Sequence, residues 1–220
     1  DELWKIERDD YPGWSTPNIY YRAEQPIVVV NGYKHMGGYD FQTGKEIWRM
    51  SGGGDIPIPT PLIGENLIYF NSAHGRQAPI IAVKKDAFGD ITLAENQTSN
   101  DFVAWSLPRA GSYMQTMILH NGLLYNCDWN GTISCYDALT GERIYRNKLG
   151  NNNSFTASPV IADGKLYISD DDGTVYAVKT GKSFELINTS QLGDVCMTSP
   201  AISKGLMVFR TQHFLIGIGR

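Results

Sequence analysis

Four histidines, three cysteines, a few serines and one acidic run are where this sequence could do chemistry. His35, His74, His120 and His213 lie far apart, and no two stand at a metal-ligand spacing. They read as strand-end or turn residues. Asp170-Asp171-Asp172-Gly173 offers the carboxylate oxygens that calcium prefers. It lacks the spacing of a calcium-binding loop, and Asp-Gly is ordinary hairpin-turn chemistry. Ser15, Ser112 and Ser158 have no Gly-x-Ser-x-Gly context, so no nucleophile is assigned. Cys127, Cys135 and Cys196 form no Cys-x-x-Cys pair, which disfavours a thiolate metal site. Cys127 and Cys135 flank Asn130-Gly131. A two-residue loop there would set Cys127 opposite Ser134 and Cys135 opposite Asn126. The two sulfurs would then lie on opposite faces, which argues against a disulfide. The residues therefore name no catalytic group and no metal site.

The composition narrows the partners. The 220 residues carry a formal charge of −4 and no block of Lys and Arg. Nucleic acid and anionic membrane surfaces both need clustered positive charge, so neither is expected. No apolar run approaches the roughly 20 residues that span a bilayer. No secretory leader opens the sequence. Asp1-Glu2-Leu3-Trp4 reads like the inside of a domain, as expected where a leader has been removed or upstream sequence is missing.

The elements that would position any site come from a repeat. Ser15-Thr16-Pro17, Pro59-Thr60-Pro61, Gln115-Thr116-Met117, Ala157-Ser158-Pro159 and Thr198-Ser199-Pro200 each lead into a short apolar strand. From Thr16 the steps to Thr60, Thr116, Ser158 and Ser199 are 44, 56, 42 and 41 residues. Propeller blades recur every 40–50 residues or so. Within each repeat, turns such as Asp163-Gly164, Asn130-Gly131 and Thr43-Gly44 separate four strands. The fourth strand carries Trp48, Trp105 or Tyr145. In the fourth repeat the aromatic, Phe184, comes one place early.

The fold class is therefore all-β, a β-propeller of four-stranded antiparallel blades, in one domain over residues 1–220. About five blades are readable: 15–50, 57–108, 113–149, 155–191, and 197–220 together with 1–10. Leu3 to Glu7 reads as a fourth strand, because Trp4 precedes Thr16 by the same 12 residues that separate Trp48 from Thr60. The segment Leu215-Ile216-Gly217-Ile218 reads as a third strand. The N-terminal strand would then complete the last blade. That closed ring of five blades is one reading; the leading one is a piece of a longer, eight-bladed propeller.

The run Tyr39-Asp40-Phe41-Gln42-Thr43-Gly44-Lys45-Glu46-Ile47-Trp48, with echoes at Tyr136 to Tyr145 and Tyr176 to Phe184, resembles the pyrroloquinoline-quinone-like (PQQ-like) repeat. Gly13 to Pro17, Ile56 to Pro61 and Phe155 to Pro159 carry a narrower likeness to the C-terminal part of bacterial quinone-binding-like and outer-membrane-assembly-type propellers. The resemblance implies a bacterial protein of the periplasm or a secreted one. Quinoprotein dehydrogenases of that superfamily use vicinal cysteines, an acidic base and a Glu/Asn/Asp calcium site. This sequence has no Cys-Cys pair and no such set, so PQQ and calcium lack supporting residues. The leading expectation is a non-catalytic scaffold for a protein, peptide or carbohydrate. The alternatives are a fragment of a PQQ- or metal-dependent oxidoreductase and a structural part of an assembled disc, with oligomerisation open.

Propellers bind partners through loops. The loops leading into each first strand hold Trp14, Tyr113, Gln115, Asn153, Phe155 and Met197, aromatic, amide and thioether groups suited to peptide or sugar contact. The long step contains a polar excursion, Lys84 to Asn100, expected as a solvated loop near the rim.

Overall fold

The computed structural model describes residues 1–151 and 153–219. Every regular element among them is a strand. The chain divides into two compact units, Asp1–Thr116 with Leu139–Gly141, and Met117–Ala138 with Glu142–Arg220.

The first unit holds two sheets. One runs in the order β1 (Asn18–Arg22), β2 (Gln25–Val30), β3 (Met36–Asp40), β4 (Glu46–Met50). The other contains β5 (Leu62–Ile63), β6 (Leu67–Asn71), β7 (Ile80–Lys84) and, after the short β8 (Gly89–Asp90), β9 (Val103–Leu107). All neighbours within these four-strand sets are antiparallel. Asp40 makes the β3–β4 turn: its Oδ1 accepts the Thr43 amide at 2.8 Å and the Thr43 hydroxyl at 2.7 Å. Gly44 completes that turn at φ 74°, where a side chain is strained.

The second unit holds three sheets. They are β10 (Ile118–His120), β11 (Leu123–Cys127), β12 (Thr132–Asp137), β13 (Arg143–Lys148); then β14 (Val160–Ala162), β15 (Lys165–Ser169), β16 (Thr174–Lys179), β17 (Leu186–Gln191); then β18 (Ala201–Ser203), β19 (Leu206–Arg210), β20 (Leu215–Gly219). The second strands β6 and β11 read as near-continuous apolar runs because both their faces are covered. β6 and β11 are buried along their whole length.

One packing rule recurs. A small residue of the third strand faces an aromatic of the fourth: Gly38 opposite Trp48, Ala82 opposite Trp105, Cys135 opposite Tyr145. The register slips immediately after each small residue, a bulge that re-aims the rest of the strand. A Cβ on Gly38 would stand 2.1 Å from Trp48 Nε1. Trp48 packs edge-on to Phe70, with ring centroids 5.8 Å apart, in the first unit's core.

Four expectations need correction. Leu3 to Glu7 forms no strand, and the last sheet has three strands among the described residues. Trp4 nevertheless occupies a fourth-strand position: it lies on the turn glycine Gly44, as Trp105 lies on Gly141. Phe184 is not in β17. Asn188 stands opposite Ala177, and Phe184 instead packs on Tyr145 at 5.9 Å. The Lys84–Asn100 excursion is only partly solvated. It buries Ala87 and Ile91 in the first core and pairs β8 parallel to β4, because its apolar residues have Trp48 to cover. Finally, the Cys127–Cys135 hairpin has a four-residue connection, closed by the Asp128 amide on the Thr132 carbonyl. Cys127 therefore faces Ile133, and both cysteines lie on one sheet face as free, buried thiols.

Candidate functional site: the loop ends of the two units

In each repeat the loop leading into the first strand and the hairpin between the second and third strands lie at the same strand ends. Hydrogen bonds tie them together. In the first unit the Asn31 amide donates to the carbonyls of Pro59 at 3.1 Å and Asn71 at 3.0 Å. Asn71 in turn donates to Ser112 Oγ at 2.7 Å and the Gln115 carbonyl at 3.0 Å. An Asn at the end of one second strand thus clamps the next leading loop. These amides are buried, so each bond replaces water that cannot reach it.

The clamps leave aromatic groups standing out. Tyr11 and Tyr33 meet edge to face at 5.1 Å, and Lys34 Nζ lies 5.3 Å above the Tyr11 ring. Trp14 is 61% exposed. Tyr113 is half-buried against His74, whose φ of 84° is unusual for a residue with a side chain. Gln115 is wholly buried, at 0% exposure. As a partner-contacting residue it is corrected: its carbonyl serves the clamp and its side chain accepts the Met114 amide.

In the second unit Asp170 anchors the equivalent loops. It is fully buried and accepts the Asn153 side-chain amide, the Thr174 amide at 2.7 Å and the Tyr176 hydroxyl at 3.1 Å. Thr156 Oγ1 donates to the neighbouring Asp171 at 3.0 Å. The acidic run is thus a brace. No group of three or more His, Cys, Asp or Glu that could hold a metal occurs among the described residues. Phe155 is 1% exposed, stacked on Tyr176 at 5.7 Å and wedged against Gly131. It too presents nothing to a partner, because its ring fills the space beneath the hairpin that carries Trp129. Asn153 is held by Asp170. Met197 is free to make contact, at 54% exposure. With Val195, Thr198, Arg210, Thr211 and Gln212 it lines a cleft of about 490 Å³. Exposed Phe214 lies on the neighbouring hairpin, which Asp194 braces by accepting Thr211 Oγ1 at 2.7 Å and the His213 amide at 2.8 Å. These bonds hold the Asp194 carboxyl well below the usual carboxylate range.

The first unit also has a charged cleft of about 470 Å³ beside its N-terminal segment. Arg8 donates to the Tyr39 hydroxyl at 2.9 Å and the His35 carbonyl at 3.2 Å, and pairs with Asp10 at 3.0 Å. His35 Nε2 lies 3.4 Å from the Tyr39 hydroxyl and 3.9 Å from Glu46 Oε2. Burial and then the Arg8 charge push the His35 imidazole pKa down. No sequence signal points to this cluster. Its members come from an irregular segment, a hairpin and two strands, with no common spacing.

The architecture defines a class: a β-propeller built from PQQ-like repeats. Within that class the chain resembles the outer membrane protein assembly factor BamB, whose family model matches residues 105–184 and 129–213. BamB of Shewanella oneidensis is 22% identical over 194 residues, which cover 84% of this chain and 46% of that protein. BamB of Salmonella typhimurium is 30% identical over 94 residues, covering 42% of this chain and 23% of that one. The chain thus spans less than half the length of either relative. Among solved structures, BamB from Moraxella catarrhalis aligns with a TM-score of 0.70 at 13% identity, over 99% of this chain and 61% of its own. Quinohemoprotein alcohol dehydrogenase from Comamonas testosteroni aligns at 0.57 and 12%, over 75% and 34%. Both structural likenesses concern the fold alone. No helix among the described residues is long and apolar enough to cross a membrane.

Proposed function

We propose that this chain is a non-catalytic scaffold that binds a protein partner in the bacterial periplasm, in the service of outer membrane protein assembly. The observation that carries the reading is the display of large apolar side chains on braced loops: Tyr11, Trp14 and Tyr33 in one unit, Trp129, Met197 and Phe214 in the other. Interfaces draw their energy from such residues, and buried clamps keep the loops from losing much freedom on binding. Similarity to proteins named as outer membrane assembly factors supports a protein partner over a sugar.

The test is calorimetric titration with soluble domains of outer membrane assembly machinery. Saturable binding that Trp14→Ala or Met197→Ala weakens by roughly tenfold, about 1.4 kcal/mol, supports the reading. Binding indifferent to both substitutions contradicts it. A saturable thermal shift with PQQ and calcium, in the absence of protein binding, favours the oxidoreductase alternative instead.

A further inference from the structure

The fourth strand of a blade ends its sheet and leaves a row of backbone groups open to another strand. Three of the fourth strands guard that edge. β4 pairs with β8, and the Ile91 amide donates to the Arg49 carbonyl at 2.9 Å. β13 carries Arg143, Arg146 and Lys148, and charge on an edge repels another strand. β9 keeps Val103, Trp105 and Ser106 buried. β17 has none of these guards. Leu186-Ile187-Asn188-Thr189-Ser190-Gln191 holds no charged residue and is exposed along its whole length. No strand pairs with its outer side among the described residues. Glu185, just before the strand, is taken by Lys179 at 3.0 Å.

The ladder fixes which groups face outward. The Leu192 amide donates to the Gly173 carbonyl at 2.9 Å, which makes those two a hydrogen-bonded pair. Antiparallel pairs alternate between bonded and non-bonded. Ser190 with Val175 is the next bonded pair, so Thr189 with Tyr176 and Gln191 with Thr174 are non-bonded ones. The amides and carbonyls of Thr189 and Gln191 therefore point away from β16. We propose that this edge pairs antiparallel with β17 of a second copy, about a two-fold axis at Thr189. Thr189 faces Thr189 of the second copy and exchanges both backbone bonds with it, while Asn188 faces Ser190. Charge selects this occupant. A strand paired with its own copy meets every charge it carries, and like charges set opposite one another are destabilising. β17 brings none, whereas the uncovered β13 would crowd its three cations against three more. The contact is isologous, so it closes at a dimer. A ribbon of this length buries less than the roughly 1,000 Å² of a stable interface, so the dimer is weak and reversible.

The inference does not depend on the proposed function. Sedimentation equilibrium of the intact chain tests it, with hydrogen exchange locating the contact. A monomer–dimer equilibrium is expected, with exchange at Thr189 and Gln191 slowing as concentration rises. Thr189→Lys and Thr189→Glu each set like charges together at the axis. Each should weaken association roughly tenfold, through repulsion and the lost Thr–Thr pair. An equimolar mixture of the two variants should restore association, because opposite charges then meet. That rescue also shows that both variants fold. A chain that stays monomeric at every concentration overturns the proposal. So does association that neither substitution weakens, or a mixture no better than either variant alone. Protection of β17 by an added uncharged peptide, without self-association, gives the edge to a foreign strand and overturns it too.

Discussion

The indole of Trp4 lies directly on Gly44. A Cβ at Gly44 would come within 2.4 Å of Trp4 Cε3, and Trp4 Nε1 donates to the Phe41 carbonyl at 2.9 Å. The contact fixes an otherwise irregular segment onto the β3–β4 turn. Gly44→Ala should therefore destabilise the first unit by about 2 kcal/mol, combining left-handed backbone strain with loss of the indole seat. In a Trp4→Ala background the cost should fall to about 1 kcal/mol, the strain alone. Urea unfolding followed by tryptophan fluorescence reads this, since four of the five tryptophans belong to the first unit. Equal costs in the two backgrounds would mean the indole is not seated there.

Asp170 is the principal brace of the second unit. Asp170→Ala strands the Tyr176 hydroxyl, the Thr174 amide and the Asn153 amide around an emptied site. A loss of about 3 kcal/mol is expected from stranding three buried hydrogen-bond donors at once. Chemical denaturation measures it. A change under about 0.5 kcal/mol, the range of ordinary surface substitutions, would contradict the assigned role.

The first unit should be acid-sensitive through His35. Burial, and then the Arg8 charge, depress its pKa below 6.5; Asp10 partly offsets them, and the smaller effects of Arg49 and Glu46 lower and raise it in turn. A folded-state pKa below the unfolded one contributes stability that is fully present above pH 6.5 and is lost as pH falls through the folded value. The thermal midpoint of the first unit should drop with acidification in that window. His35→Gln should flatten the slope. An unchanged slope would assign the acid response to other groups.

The thiols should be inert in the folded state. Burial pushes the Cys127 pKa up to about 12 and that of Cys135 up to about 11, so neither forms thiolate near neutrality. Iodoacetamide should label these two positions only after denaturation, as mass spectrometry of the digested protein would show. Rapid native labelling at Cys127 would contradict the packing of β11 against its neighbours.

Most of the fold could be read from the sequence because the repeat is local. Asp-Gly, Asn-Gly and Thr-Gly turns at regular intervals, and apolar runs between them, mark four strands per repeat without any long-range knowledge. Trp4 showed its fourth-strand place by its distance from Thr16. What spacing could not convey was pairing. Whether Leu3 to Glu7 meets β20 depends on chain geometry. Whether residues 84–100 return to Trp48 depends on Ala87 and Ile91 finding an uncovered ring. Burial sorted the residues of the loops that the sequence pointed to. Gln115 and Phe155 look like contact residues by type, yet one serves an amide clamp and the other supports a hairpin. Trp129 and Phe214, which do stand out, sit on the second-to-third-strand hairpins, at the same strand ends as the loops that the sequence pointed to.

Hydrogen exchange of the chain with and without a saturating assembly-machinery domain tests the central claim most directly. Binding through the braced loops predicts slowed exchange at residues 11–15, 32–34 and 113 in the first unit, or at 129–130, 195–198 and 212–214 in the second. Turns at the opposite strand ends, such as 41–45 and 163–165, should be unaffected. Protection confined to those opposite turns, with the aromatic loops unchanged, would contradict the account.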